Sequence, residues 1–195
     1  PDLEMLKEAA THLRDKGFSN CELRQMSAAD ISTFKEHFAA ITFGASFHWT
    51  DRMKTATTTR KLLAPGGALI LMGSNSTWKG KEPWQAIALK VIGDYLGEER
   101  RAGSGVFKEP EATHQQVLKE SGFSNVTTFE ISYPCIWTLD NFIGYLYSTS
   151  FASKAVLGDK APRFEASLRE ALLEYNSSGE YPEAINFHYI YGINA

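Results

Sequence analysis

The chain has 195 residues, of which 43% are hydrophobic and 22% charged, with a formal net charge of −3; this is the make-up of one globular domain able to bury a core. Acids and bases are mixed along its whole length, so no electrostatic footprint for nucleic acid or an anionic membrane is expected. No apolar run reaches the roughly 18–20 residues of a membrane span, and the separated Cys21 and Cys135 form no ligand-like spacing, so no metal site is expected and a reducing, cytoplasmic setting is.

Leu3, Leu6, Ala10 and Leu13 recur at helical spacing between a candidate cap, Asp2, and a stop at Gly17. A helix already in full stride at Pro1 suggests a start inside a domain. Cys21–Met26 alternates and predicts a short strand, followed by Ser27-Ala28-Ala29-Asp30 and a helical piece over 31–37. The run from Ala39 to Phe47 is apolar on both faces, as a central parallel strand would be. A second helix is predicted from Asp51 to Leu63, capped by Thr50 or Asp51. Pro65-Gly66-Gly67 then reads as a turn into a buried strand, Ala68–Gly73.

Residues 76–107 read as an insertion carrying one amphipathic helix near Trp84–Leu96. A short helix at His114–Ser121 closes on Gly122, and Asn125–Tyr133 reads as a strand. Leu139–Phe151 and Pro162–Tyr175 are predicted helices, the first rich in aromatics, and Ile185–Ile193 alternates as a last strand. Alternating helices and strands with a closing strand pair predict an α/β, Rossmann-like, doubly wound and mostly parallel sheet with a C-terminal antiparallel strand.

Three segments carry a family resemblance. Ile41–Asp51, with its strand ending before His48-Trp49, resembles the central strand and following loop of class I S-adenosylmethionine-dependent methyltransferases. Leu62-Leu63-Ala64-Pro65-Gly66-Gly67-Ala68-Leu69 is similar to that family's helix-to-strand junction, and Glu120-Ser121-Gly122-Phe123-Ser124-Asn125-Val126 to its entry into a late strand. The likeness is to the type 11, small-molecule members. It implies one partial, N-terminally truncated domain over 1–195, with a substrate-side lid at 134–184. The family's glycine-rich cofactor loop and ribose-binding acid would lie upstream of Pro1, because Pro1–Leu6 resembles the stretch after that acid. Gly103-Ser104-Gly105 offers glycines without a buried strand before them.

The implied reaction moves a methyl group from S-adenosylmethionine, the implied cofactor, to an O, N or C atom of a small-molecule acceptor. A non-catalytic remnant that binds a partner chain is the alternative, and homo-oligomerisation stays open. For the cofactor, the resemblance points to Ala28, Ala29 and Asp30 past one strand end, and to Gly44, Ala45, His48 and Trp49 past another. Asp30 would meet the adenine amine, or else cap the next helix. Gly44-Ala45 would let a ligand approach closely, or else admit tight helix packing. His48 would serve as general base, its ordinary pKa near ~6.5 suiting proton removal, or else pack against cofactor or loop. Trp49 would wall the acceptor pocket or fill the core. Trp137 and Tyr145 would contact the acceptor from the lid, or else pack on the sheet.

Overall fold

The computed structural model describes residues 3–74, 76–99, 101–102, 105–106 and 111–195. In chain order these form α1 (Leu3–Asp15), β1 (Phe38–Gly44), α2 (Arg52–Leu62), β2 (Leu63–Ser74), α3 (Pro83–Leu96), the short β3 (Arg101–Ala102) and β4 (Gly105–Val106), α4 (His114–Glu120), β5 (Ser124–Thr138), α5 (Leu139–Ser148), α6 (Lys154–Leu157), α7 (Ala161–Tyr175) and β6 (Glu180–Ile193). One sheet has the order β1-β2-β6-β5, while β3 and β4 pair antiparallel in a separate ribbon. β1 and β2 are parallel, running from Phe38 opposite Leu63 to Gly44 opposite Met72. β6 runs against β2, since Asn194 bonds to Gly66 and Gly67 while His188 lies against Gly73. The result is the mixed α/β, Rossmann-like sheet expected, with a parallel pair and an antiparallel closing strand. Among the described residues no helix is long and apolar enough to cross a membrane.

The chain divides into two compact units. The first comprises Pro1–Met72, Ala112–Thr128 and Tyr189–Ala195. Its core is Phe47, Ala56, Leu63, Leu69, Leu71, Val117, Leu118, Phe123 and Ile190. α2 starts where the Asp51 carboxylate accepts from the Lys54 N–H at 3.1 Å, satisfying one of the unpaired donors of the first turn. α4 begins with the capping box of Thr113 and Gln116 and ends before Gly122, whose φ of +87° suits glycine alone.

Two expectations in this unit are corrected. Cys21–Met26 is not a strand; it is irregular and mostly exposed, with Arg24 bonded to Glu22. β1 is an edge strand of its sheet, and its positions are exposed or half-buried, not buried on both faces.

Pro65-Gly66-Gly67 is likewise no turn. α2 passes straight into β2, Leu63 being both the C-cap of the helix and the first strand residue. The three residues lie within β2 as a bulge: Phe38 faces Leu63, but Ala40 faces Ala68. Gly66, at φ +76°, donates to Asn194 O at 2.7 Å, and Asn194 N–H donates to Gly67 O at 2.8 Å. A left-handed glycine followed by that bond pair is the glycine-type β-bulge. Bulges also admit a proline, which lacks a ladder donor. The Asn194 side chain fixes the distortion by donating to Leu63 O and Ala64 O at 2.9 and 3.3 Å.

The second unit comprises Gly73–Glu111 and Phe129–His188. The segments expected as an insertion, 76–107, and as a lid, 134–184, both fall in it. α3 has Pro83 in its first turn and a capping box of Glu82 and Gln85. It buries Trp84, Ala88, Val91 and Ile92, at helical spacing. α5 buries Leu139, Phe142, Ile143 and Leu146, and α7 buries Ala161, Phe164, Leu168 and Leu172. These faces meet in one cluster with Tyr181 of β6 and Phe151. The unit therefore owns a complete apolar core.

Candidate functional site

The first unit positions a compact loop past the C-terminal end of β1. At that end Gly44 pairs with Met72, and the Ala45 N–H donates to Met72 O at 2.8 Å. Phe47, only 2% exposed, anchors the turn Phe47–Trp49, packing edge-on against Phe43 and His114 with centroids 5.3 and 5.4 Å away. Thr50 Oγ1 donates to Phe47 O at 2.8 Å, and Asp51 follows as the cap of α2. Arg52 braces the same region by donating to Ala112 O at 2.8 Å. The loop is thus held from below by an aromatic and at its end by a helix cap, and its outer face is left open.

On that outer face stand the predicted residues. Gly44, Ala45, His48 and Trp49 are all exposed, Trp49 at 54%. The alternative of a core role for Trp49 therefore falls, and so does tight helix packing on Gly44, since a β-carbon built there meets nothing within 4 Å. Gly44 and Ala45 do not lie inside a buried strand, as the sequence suggests; they lie at its exposed tip. The His48 and Trp49 rings are 5.0 Å apart, tilted by 42°.

Ala45 adopts φ +46°, a left-handed conformation that disfavours residues with a β-carbon. Strain of this kind collects at functional tips. Replacing Ala45 with Gly should raise stability by about 0.5–1 kcal/mol in urea unfolding. A loss of stability in A45G would show the turn to be unstrained.

Ala28, Ala29 and Asp30 occupy the short helix Ala28–Thr33, in a segment of the first unit that makes no strand. The Asp30 carboxylate accepts from both the N–H and the hydroxyl of Ser27, at 2.8 and 2.7 Å. These bonds hold its pKa below the usual carboxylate value. Ser27 is thus the cap of this turn and Asp30 its third residue, closing the capping box from within, with both bonds on Oδ2.

Trp137 and Tyr145 belong to the second unit. Their rings are 5.3 Å apart, and Phe142 lies beneath, 6.0 Å from Trp137 and 6.2 Å from Tyr145. Thr77 Oγ1 lies 3.5 Å from the Tyr145 hydroxyl. The predicted residues thus lie at three places, Ala28–Asp30 in a short helix and Gly44–Trp49 past β1 in the first unit, and Trp137 with Tyr145 in the second. Sequence reasoning missed Glu183, whose carboxylate accepts from Trp137 Nε1 at 2.6 Å and from Gln85 Nε2 at 2.9 Å. A signal was available: Glu183 falls on the same strand face as buried Tyr181, two residues on, where an apolar residue is the rule. Among the described residues no group of His, Cys, Asp and Glu could hold a metal ion. Gly103 and Ser104 lie outside the described residues.

Comparison with known proteins matches residues 1–71 to the family model of the methyltransferase domain. A search of curated proteins finds no match. Among solved structures, the YcgJ protein of Bacillus subtilis is similar at 14% identity, with a TM-score of 0.50 over 98% of this chain and 79% of that one. A protein described as a type II methyltransferase from Anaeromyxobacter dehalogenans is 18% identical, with a TM-score of 0.49 over 91% of this chain and 76% of its own. At 14% identity the likeness to the YcgJ protein speaks for the fold alone. Residues 1–71 of the chain thus match the methyltransferase domain, and the chain as a whole resembles the YcgJ protein in fold.

Proposed function

We propose that the protein transfers a methyl group from S-adenosylmethionine to an O, N or C atom of a small-molecule acceptor. The observation that carries this reading is the open tip of β1 at Gly44, inside the segment that matches the methyltransferase domain. Open α/β sheets bind ligands beyond the carboxyl ends of their parallel strands, where loops supply the contacts. The residues present fit the cofactor there. Gly44 leaves unfilled space beside the backbone, and Trp49 offers an exposed aromatic face. In the short helix of the same unit, Asp30 would receive an adenine amine on Oδ1, the oxygen that Ser27 does not engage, with Ala28 and Ala29 supplying backbone beside it.

S-adenosylmethionine supplies an electrophilic methyl group on a sulfonium whose departure needs no acid. The protein's task is therefore alignment and exclusion of water. His48, exposed at the tip, would take the proton released by an N–H or O–H nucleophile. Trp49 would shield the reacting centre.

Titration calorimetry with S-adenosylhomocysteine tests the reading. The wild-type chain should bind, and Gly44→Ala should weaken binding by about tenfold while shifting stability by no more than about 0.5 kcal/mol, because the added methyl meets no protein atom. Absence of binding in the wild type overturns the proposal; unchanged affinity in G44A removes Gly44 from the site.

A second reading, a non-catalytic partner-binding module, draws on α1, which buries none of its described residues, and on the edge position of β1. Under that reading S-adenosylhomocysteine gives no heat.

A further inference from the structure

Glu183 sits in an arrangement that neither the methyl-transfer reading nor the packing of the second unit requires. Its two oxygens are held apart by different donors, Trp137 Nε1 on Oε2 at 2.6 Å and Gln85 Nε2 on Oε1 at 2.9 Å. Gln85 is 2% exposed and is itself fixed, its Oε1 accepting from the Glu82 N–H at 3.0 Å. Both donors are neutral. Among the described residues no Lys, Arg or His forms an ion pair with Glu183. A carboxylate drawn into protein without a counter-charge is costly unless its charge is matched.

The surroundings are aromatic and rigid. Trp137 and Tyr145 stand 5.3 Å apart with their planes at 43°, and all three side chains keep partial contact with solvent. Phe142 forms the floor, fixed by the Trp84 ring at 4.9 Å. Ring faces carry partial negative charge and attract cations within about 6 Å of their centroids. A carboxylate held on the edge of Trp137, whose ring neighbours Tyr145, gives one region with three sources of negative potential, preorganised by neutral hydrogen bonds and in partial contact with solvent.

We propose that Glu183, Trp137 and Tyr145 form a binding site for an organic cation, an alkylated ammonium group. A small metal ion is a poorer occupant, since two of the three groups offer no oxygen or nitrogen lone pair of use to it. An alkylammonium suits both parts, its charge satisfied by Glu183 and its methyl or methylene groups lying on the rings. The inference stands on this cluster of the second unit alone and is independent of the methyl-transfer reading.

Tetramethylammonium chloride added to the full chain is the probe, with sodium chloride at equal ionic strength and neutral neopentyl alcohol as controls. The readout is the indole Nε1–H resonance of Trp137, assigned with Trp137→Phe. A saturable shift with tetramethylammonium alone is expected. Glu183→Gln and Tyr145→Leu should each weaken it by at least about tenfold, while Tyr145→Phe, which keeps the ring, should retain it. Should E183Q lose its fold by circular dichroism, the Y145L and Y145F pair still decides. No saturable shift, an equal response to neopentyl alcohol, or undiminished binding in folded E183Q or Y145L overturns the proposal. Cation binding without S-adenosylhomocysteine binding removes methyl transfer and leaves the site; the converse removes the site alone.

Discussion

Replacing Trp84 with Ala should destabilise the second unit by about 3–5 kcal/mol, the largest effect expected of any single change here. The side chain is 1% exposed and is shared by three elements. It stands in α3, packs edge-on against Phe142 of α5 at 4.9 Å, and lies 5.5 Å from Tyr181 of β6. Its indole N–H donates to Pro182 O at 2.9 Å, so truncation also removes that hydrogen bond. In a chain of this length the melting midpoint should fall by roughly 10 °C or more. Trp84→Phe separates the two contributions: it retains most of the ring volume and forfeits the hydrogen bond, and should lose about 1–2 kcal/mol. A W84A protein that melts like the wild type would mean that α3 is not built into this core.

Gly67→Ala should destabilise the first unit by about 2–3 kcal/mol. A β-carbon at Gly67 would stand 2.9 Å from Ala64 O, 3.0 Å from Ala39 O and 3.1 Å from Phe38 O. All three neighbours are backbone, so none can rotate away as a side chain would. Relief requires β1 to withdraw from the bulge of β2, and the register around Ala40 and Ala68 moves with it. A drop of roughly 5–10 °C in the midpoint is expected by calorimetry. Gly44→Ala is the internal control, since the same methyl at the other end of β1 meets nothing. Equal melting of G67A and G44A would contradict the close approach at the bulge.

The helices were legible because their signals are local. Asp51 before α2, Pro83 in the first turn of α3, and Leu139, Phe142, Ile143 and Leu146 on one face of α5 can all be read within a single turn or two. Strands were read less well. Cys21–Met26 alternates, yet a strand exists only where a neighbour accepts its hydrogen bonds, and none lies beside it in the sheet. Pro65-Gly66-Gly67 has the composition of a turn, and it stays in a strand because Asn194, distant in sequence, holds the carbonyls of Leu63 and Ala64. The same limit governs the site. The tip residues Gly44 to Trp49 follow one strand end and could be found together, whereas Glu183 acquires meaning only when α3 brings Gln85 to one of its oxygens and β5 brings Trp137 to the other.

The seamless passage from α2 into β2 has a consequence for how this protein can vary. With Leu63 closing the helix through its N–H to Thr59 O and opening the strand in the same step, no slack separates the two elements. One added residue at this seam would swing the preceding helix by about 100° or invert the inside and outside of the following strand. Homologous chains should therefore keep this junction gapless and gather their insertions elsewhere. A library of single-residue insertions, sorted for folded protein, would show depletion at positions 62–63 and tolerance at exposed positions 18–26.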